Sequence, residues 1–166
     1  MKFVLIDRIT ELAVGKRISA CKALSLSEEY LADHFPTFPV LPGVFMLEAM
    51  IQASAWLARA SLDFSPSLVL LKEARNVTYK SFLAPGQVLI VESVCKELGP
   101  EQSVYAASGR VGEREIVKGA LTLRHLTLAQ QDPRLDELDA EIRESYRRQF
   151  GLLRVGHGAG SAAAVT

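Results

Sequence analysis

Two residues of the chain, His34 and Glu48, have the side-chain types for acid–base chemistry. Both lie in one stretch that runs to Gln52. Imidazole titrates near neutral pH and can take a proton as a general base. A carboxyl in apolar surroundings holds its proton more tightly and can return it as an acid. Together they suit removal of water across a Cα–Cβ bond beside a carbonyl: one group takes the α-proton and the other protonates the leaving hydroxyl. The remaining need is a donor to the carbonyl oxygen. Gly43 stands where a helix begins, and the first amides of a helix have no intrahelical acceptor. Glycine adds no side chain to block close approach there. Gln52 falls one turn after Glu48 on the same helix face, where it can hold the carboxyl in place. Taken singly these residues are ordinary. A histidine beside a Phe-Pro turn is most often structural, and a buried glutamate serves equally well in an ion pair. Their combination is far more specific.

Three prolines, Pro36, Pro39 and Pro42, fall between His34 and Gly43. They exclude a helix or a central strand there and predict an ordered loop with much of its backbone preset. From Gly43 to about Ser61 strong helix formers follow, with apolar residues on nearly every side, which predicts a buried helix. Apolar runs at 3–12 and 17–26 flank a Val14-Gly15-Lys16 turn and read as two strands. Ser25, Ser27, Glu28 and Glu29 look like the start of a short helix reaching Asp33. Four further strands are expected at about 67–78, 87–96, 103–111 and 115–125, separated by Pro85-Gly86, Gly99-Pro100 and Gly112-Glu113. A hairpin, a long buried helix and an antiparallel meander make an α+β fold in which the sheet curls around the helix. Asp132-Pro133 then opens an amphipathic helix over about 133–150, with a stripe of Leu135, Leu138, Ile142 and Tyr146 and an end at Phe150-Gly151. This helix is expected to cover the outer face of its own sheet or a neighbouring protomer. The Gly/Ala/Ser-rich residues after Gly156 read as a flexible tail. The expected organisation is a main domain over 1–128, the added helix over 129–151, and a tail over 152–166.

The 166 residues carry 19 Lys+Arg against 19 Asp+Glu. That balance and the lack of any nucleic-acid-binding motif give no reason to expect a nucleic-acid partner. The longest apolar stretch, from Val44 to about Leu57, is short of a membrane span and contains Glu48 and Gln52. The N-terminal apolar run is too short for a signal peptide. Cys21 and Cys95 are far apart in sequence and read as buried thiols in a reducing compartment. No metal-ligand spacing is present. A cytoplasmic protein without cofactor or metal is expected.

The run His34-Phe35-Pro36-Thr37-Phe38-Pro39-Val40-Leu41-Pro42-Gly43-Val44-Phe45-Met46-Leu47-Glu48-Ala49-Met50-Ile51-Gln52 closely resembles the signature of the FabZ-type 3-hydroxyacyl-acyl carrier protein dehydratases. Leu5-Ile6-Asp7-Arg8, Gly15-Lys16-Arg17-Ile18, Lys72-Glu73-Ala74-Arg75 and Ala84-Pro85-Gly86-Gln87 extend the resemblance over about residues 3–125. It implies a hot-dog fold and a homodimer or a trimer of dimers. It also implies composite sites in which His34 of one protomer faces Glu48 of the other while the Gly43 amide polarises the thioester carbonyl. The implied substrate is a 3-hydroxyacyl chain on the phosphopantetheine arm of acyl carrier protein. Arg75 and Lys80 are candidates for docking the acidic carrier. The sister FabA-type enzymes, which also isomerise the double bond, carry Asp at the acid position, so Glu48 favours dehydration alone. Asp33 replaces the glycine usual before the histidine; it could raise the histidine pKa or bind the loop backbone. The competing readings are a hot-dog thioesterase, which often lacks the paired histidine, and a non-catalytic acyl-thioester-binding subunit.

Overall fold

Alternating apolar residues form the inner face of the molecule. In β2 (Arg17–Ala23) Ile18 and Ala20 are buried; in β4 (Val88–Leu98) it is Leu89, Val91 and Ser93. Ser103, Tyr105 and Ala107 do the same in β5 (Gln102–Val111), and Leu121 and Leu123 in β6 (Arg114–Leu126). A period of two places each set on one face of the pleat. With β1 (Arg8–Ala13) and β3 (Leu68–Tyr79) these strands make one sheet, ordered β1-β2-β4-β5-β6-β3, with antiparallel neighbours throughout. The computed structural model describes residues 3–35 and 37–154.

The buried face closes on α2 (Gly43–Ser61), which follows the four-residue α1 (Tyr30–Asp33). Met46, Met50, Ala53 and Leu57 recur at helical spacing toward the sheet, and Ala49 and Ala58 keep that approach close. Helix and sheet are also joined by a buried hydroxyl pair, Ser54 Oγ to Ser93 Oγ at 2.7 Å. The expected sheet around a helix is thus present. The second strand, expected to reach residue 26, ends at Ala23, and the start of the first differs more. The expected first strand begins at residue 3, but β1 begins at Arg8. The reason lies in hydrogen bonding: the backbone of Phe3 and Leu5 pairs with the Gln52 side chain, not with a neighbouring strand.

The helix that the sequence puts at about 133–150 begins as a 3-10 turn, Pro133–Leu135, and continues as α3 (Asp136–Leu153). It runs past Gly151, and the tail expected after Gly156 lies outside the described residues. Its docking surface differs from the expected outer sheet face. Tyr146 and Phe150 pack edge-on and tilted against Trp56 of α2, and Phe150 also meets Phe64. Thus α2 is apolar all round because the sheet covers one side and α3 the other. The inward stripe also differs. Leu138 is exposed, whereas Asp139 is fully buried. Its carboxylate accepts from the amides of Leu128, at 3.0 Å, and Ala129, at 2.7 Å. It thereby caps the 3-10 turn Leu128–Gln130 that follows β6.

Burial alone would raise the Asp139 pKa, but hydrogen bonds from Ser67 and from these two amides bring it below its usual value. A depressed folded-state pKa stabilises the fold above the unfolded pKa, and that contribution is lost as pH falls through the folded value. Acid is therefore expected to loosen α3. Asp139→Ala should do so at neutral pH, since two half-buried amides lose their charged acceptor at a cost of about 1–3 kcal/mol. Faster amide exchange in α3 and a lower Tm check this; unchanged protection in α3 would show that the aromatic contacts hold it alone.

Cys21 and Cys95 are free and half-buried, more open than the sequence suggests. No helix among the described residues is long and apolar enough to cross a membrane.

Candidate active site

The loop ahead of α2 is fixed at both ends. The His34 amide donates to Tyr30 O at 3.2 Å, closing α1, and the Leu41 amide donates to Leu83 O at 2.9 Å. Val40 and Leu41 are buried. Between these anchors Phe35 adopts φ +52°, the left-handed region. Such a conformation costs a bulky residue about 1–3 kcal/mol and persists only where surroundings impose it. It directly follows His34, whose half-buried ring lies 4.4 Å, centroid to centroid, from the Phe35 ring. Asp33 is exposed, and among the described residues its carboxylate has no bond to an amide of this loop.

Pro42 is the N-cap of α2 with extended backbone, φ −51° and ψ 136°. The helix ladder starts when Phe45 and Met46 donate to Pro42 O. The amides of Gly43 and Val44 precede that ladder and are the ones free to meet a ligand oxygen. A Cβ at Gly43 would meet the Tyr79 ring at 3.3–3.6 Å. Tyr79, at the end of β3, therefore stands over the helix start, and burial pushes its phenol pKa up. Sequence reasoning did not single out Tyr79; only the return of β3 to the helix start places it there.

Glu48 is half-buried on α2, one turn before Gln52. The Gln52 Nε2 donates to Glu48 Oε1 at 2.9 Å and to Phe3 O at 3.1 Å, while its Oε1 accepts from the Leu5 amide at 2.9 Å. One amide thus orients the carboxylate and fastens the N-terminal segment. Glu48 and Gln52 open into a cavity of about 470 Å³. Its other walls include Ile51, Trp56 and Arg59 of α2, Val69 and Leu70 of β3, and Ile142, Tyr146 and Gln149 of α3. Thus α3 forms one wall of the compartment that holds Glu48.

The predicted residues are not all brought together within one chain. Glu48 and Gln52 are in contact, and Gly43 starts the same helix. His34 is bonded to neither and does not line the Glu48 cavity. Arg75 and Lys80 are exposed, and each is paired within the chain: Arg75 Nε with Glu73 at 2.8 Å, and Lys80 with Glu115.

The model of the FabA-like domain family matches residues 1–119. A 3-hydroxyacyl-[acyl-carrier-protein] dehydratase FabZ of Aromatoleum aromaticum is 35% identical over 130 residues, covering 76% of this chain and 90% of the relative. The enzyme of the same name from Lactococcus lactis subsp. cremoris is 35% identical over 121 residues, covering 72% and 83%. Among solved structures, the dehydratase heterocomplex ApeI:P from Xenorhabdus doucetiae superposes with a TM-score of 0.62 at 19% identity, over 74% of this chain and 82% of that one. A conserved protein from Pseudomonas aeruginosa gives 0.58 at 18% identity, over 72% and 87%. These likenesses carry the fold, which is the hot-dog fold. The matched domain stops at residue 119, before α3, which forms one wall of the Glu48 cavity.

Proposed function

Because the chain belongs to the FabA-like family, and within it to the FabZ-type dehydratases, we propose that it removes water from 3-hydroxyacyl chains carried on acyl carrier protein. The product is the trans-2-enoyl thioester. The observation that carries the catalytic reading is the held carboxyl: Gln52 fixes Glu48 in the wall of a cavity lined mostly by apolar residues while two helix-start amides precede the hydrogen-bond ladder of the same element. In this reading His34 takes the α-proton and the Gly43 amide receives the developing enolate oxygen. Glu48 protonates the departing hydroxyl. Charge develops on the carbonyl oxygen as the Cα–H bond breaks; that electron pair then returns to form the Cα=Cβ bond as the Cβ–O bond breaks. The hydroxyl takes the Glu48 proton and leaves as neutral water, with the negative charge left on the Glu48 carboxylate. No cofactor enters this sequence of steps.

The site is shared between two chains. His34 lies outside the Glu48 cavity of its own chain. Strand β3 is a sheet edge with Leu70 and Leu71 exposed, and Leu70 also lines the cavity. A partner joined along this edge would cover the apolar residues and bring its histidine to the carboxylate. A homodimer, alone or as a trimer of dimers, is thus the working unit, and the cytoplasm is its compartment.

A crotonyl-thioester hydration assay run beside a free-thiol release assay tests the activity. Hydration without thiol release is expected. Thiol release alone would make the protein a thioesterase, and neither activity would leave a binding subunit.

Arg75 and Lys80 remain the docking candidates for the carrier, as exposed cations on and just beyond β3. Reversing both charges is expected to raise KM for carrier-linked substrates by about tenfold and to spare pantetheine mimics. Equal effects on both substrate types would remove them from that role.

A further inference from the structure

The cavity that Glu48 lines is also lined by a buried cation. Arg59 lies eleven residues further along α2, about 16 Å along the axis and within about 20° of the same face. It is 6% exposed and lines the same cavity as Glu48. Its guanidinium stacks over two rings, 3.9 Å from the Tyr146 centroid and 5.3 Å from that of Trp56. Its Nε is buried without a hydrogen-bond partner, and among the described residues it makes no ion pair. The acid among the cavity's lining residues is Glu48, already held by Gln52. Stacking orients the guanidinium plane and Tyr146 takes up part of its hydrogen bonding, but Nε is left without a partner and no carboxylate answers the charge. Arginine keeps its charge even where burial lowers its pKa, as it does here. A buried cation without a counter-charge is a costly feature to retain, and its natural complement is a planar anion taken by two parallel N–H bonds.

We propose that α3 turns the acyl compartment into a blind pocket, in which Arg59, held by Tyr146 and Trp56, binds a carboxylate at the far end of the acyl chain. The inference rests on the dehydratase reading and extends it to substrate class: half-thioesters of dicarboxylic acids, with one end on the carrier arm and the other free. Ile51, Val69 and Ile142 line the path between the two polar ends and suit the methylene chain. Tyr146 belongs to α3, so the selective end of the pocket is built by the segment beyond the matched domain.

The test is a turnover series on carrier-linked 3-hydroxyacyl chains of increasing length, each made with a terminal methyl and with a terminal carboxylate. At the length that reaches Arg59, the carboxylated substrate should have a kcat/KM about 10- to 100-fold above its methyl-ended counterpart. Arg59→Met should abolish that advantage, bringing the two substrate series to the same kcat/KM at that length. A wild-type enzyme that prefers methyl-ended chains at every length, or an advantage that survives in Arg59→Met, would overturn this inference and leave the dehydratase reading in place. Turnover of neither series would overturn both. Should Arg59→Met fail to fold, the wild-type comparison decides by itself.

Discussion

His34→Ala and Glu48→Ala each lower dehydration and hydration by about 10²–10⁴-fold, the usual loss when a general acid or base is removed. The fold survives both changes. His34 is half-buried in a loop tied by backbone bonds to Tyr30 and Leu83, none of which uses the imidazole. Glu48 accepts one hydrogen bond, and Gln52 keeps its two bonds to the N-terminal backbone when that acceptor is removed. Glu48→Gln is the sharper variant, because its amide oxygen can still accept from Gln52 while the proton donor is gone. Full loss with unchanged Tm is expected. If His34 and Glu48 meet only across two chains, mixing the two alanine variants under subunit exchange restores activity. Each hybrid dimer then has one site with both residues and one with neither. Proven exchange without recovery would place both groups in one chain and refute the shared site.

The antiparallel sheet and its central helix were legible in the sequence because their signals are local. Alternation marked the strands, helix formers marked α2, and the prolines between His34 and Gly43 marked the loop. The all-round apolar character of α2 was legible too, but not its cause. Trp56 belongs to the α3 side, and nothing near it in sequence separates it from Met50 on the sheet side. The α3 stripe went wrong for a similar reason. Periodicity favours Leu138 as the inward residue, yet Asp139 is buried because two amides of a 3-10 turn bind its carboxylate. A pattern that scores apolar residues cannot see a position held by hydrogen bonds. Arg59 was silent as well: an arginine late in an apolar helix ordinarily carries its charge to solvent. It is buried here because Tyr146, far away in sequence, lies over it.

Gly43→Val lowers turnover by about 10²–10³-fold, the loss expected when an oxyanion donor is blocked, with a much smaller change in Tm. Gly43 is not in the left-handed backbone region, so a side chain there adds no strain of that kind. What it meets is the Tyr79 ring, at 3.3 Å from an added Cβ. That ring belongs to a 45% exposed side chain and can swing away. The fold therefore adapts to the new residue. The substrate cannot, because the branched methyls crowd the space beside the Gly43 and Val44 amides. Gly43→Ala separates two causes. Its single methyl displaces the ring by a few tenths of an ångström yet barely covers the amides. If ring displacement is what harms turnover, Gly43→Ala is already slow, and adding Tyr79→Ala to it restores the rate. If crowding of the amides is the cause, Gly43→Ala stays active and Gly43→Val is slow with or without Tyr79→Ala. Near-normal turnover in Gly43→Val would mean that the thioester oxygen is bound elsewhere.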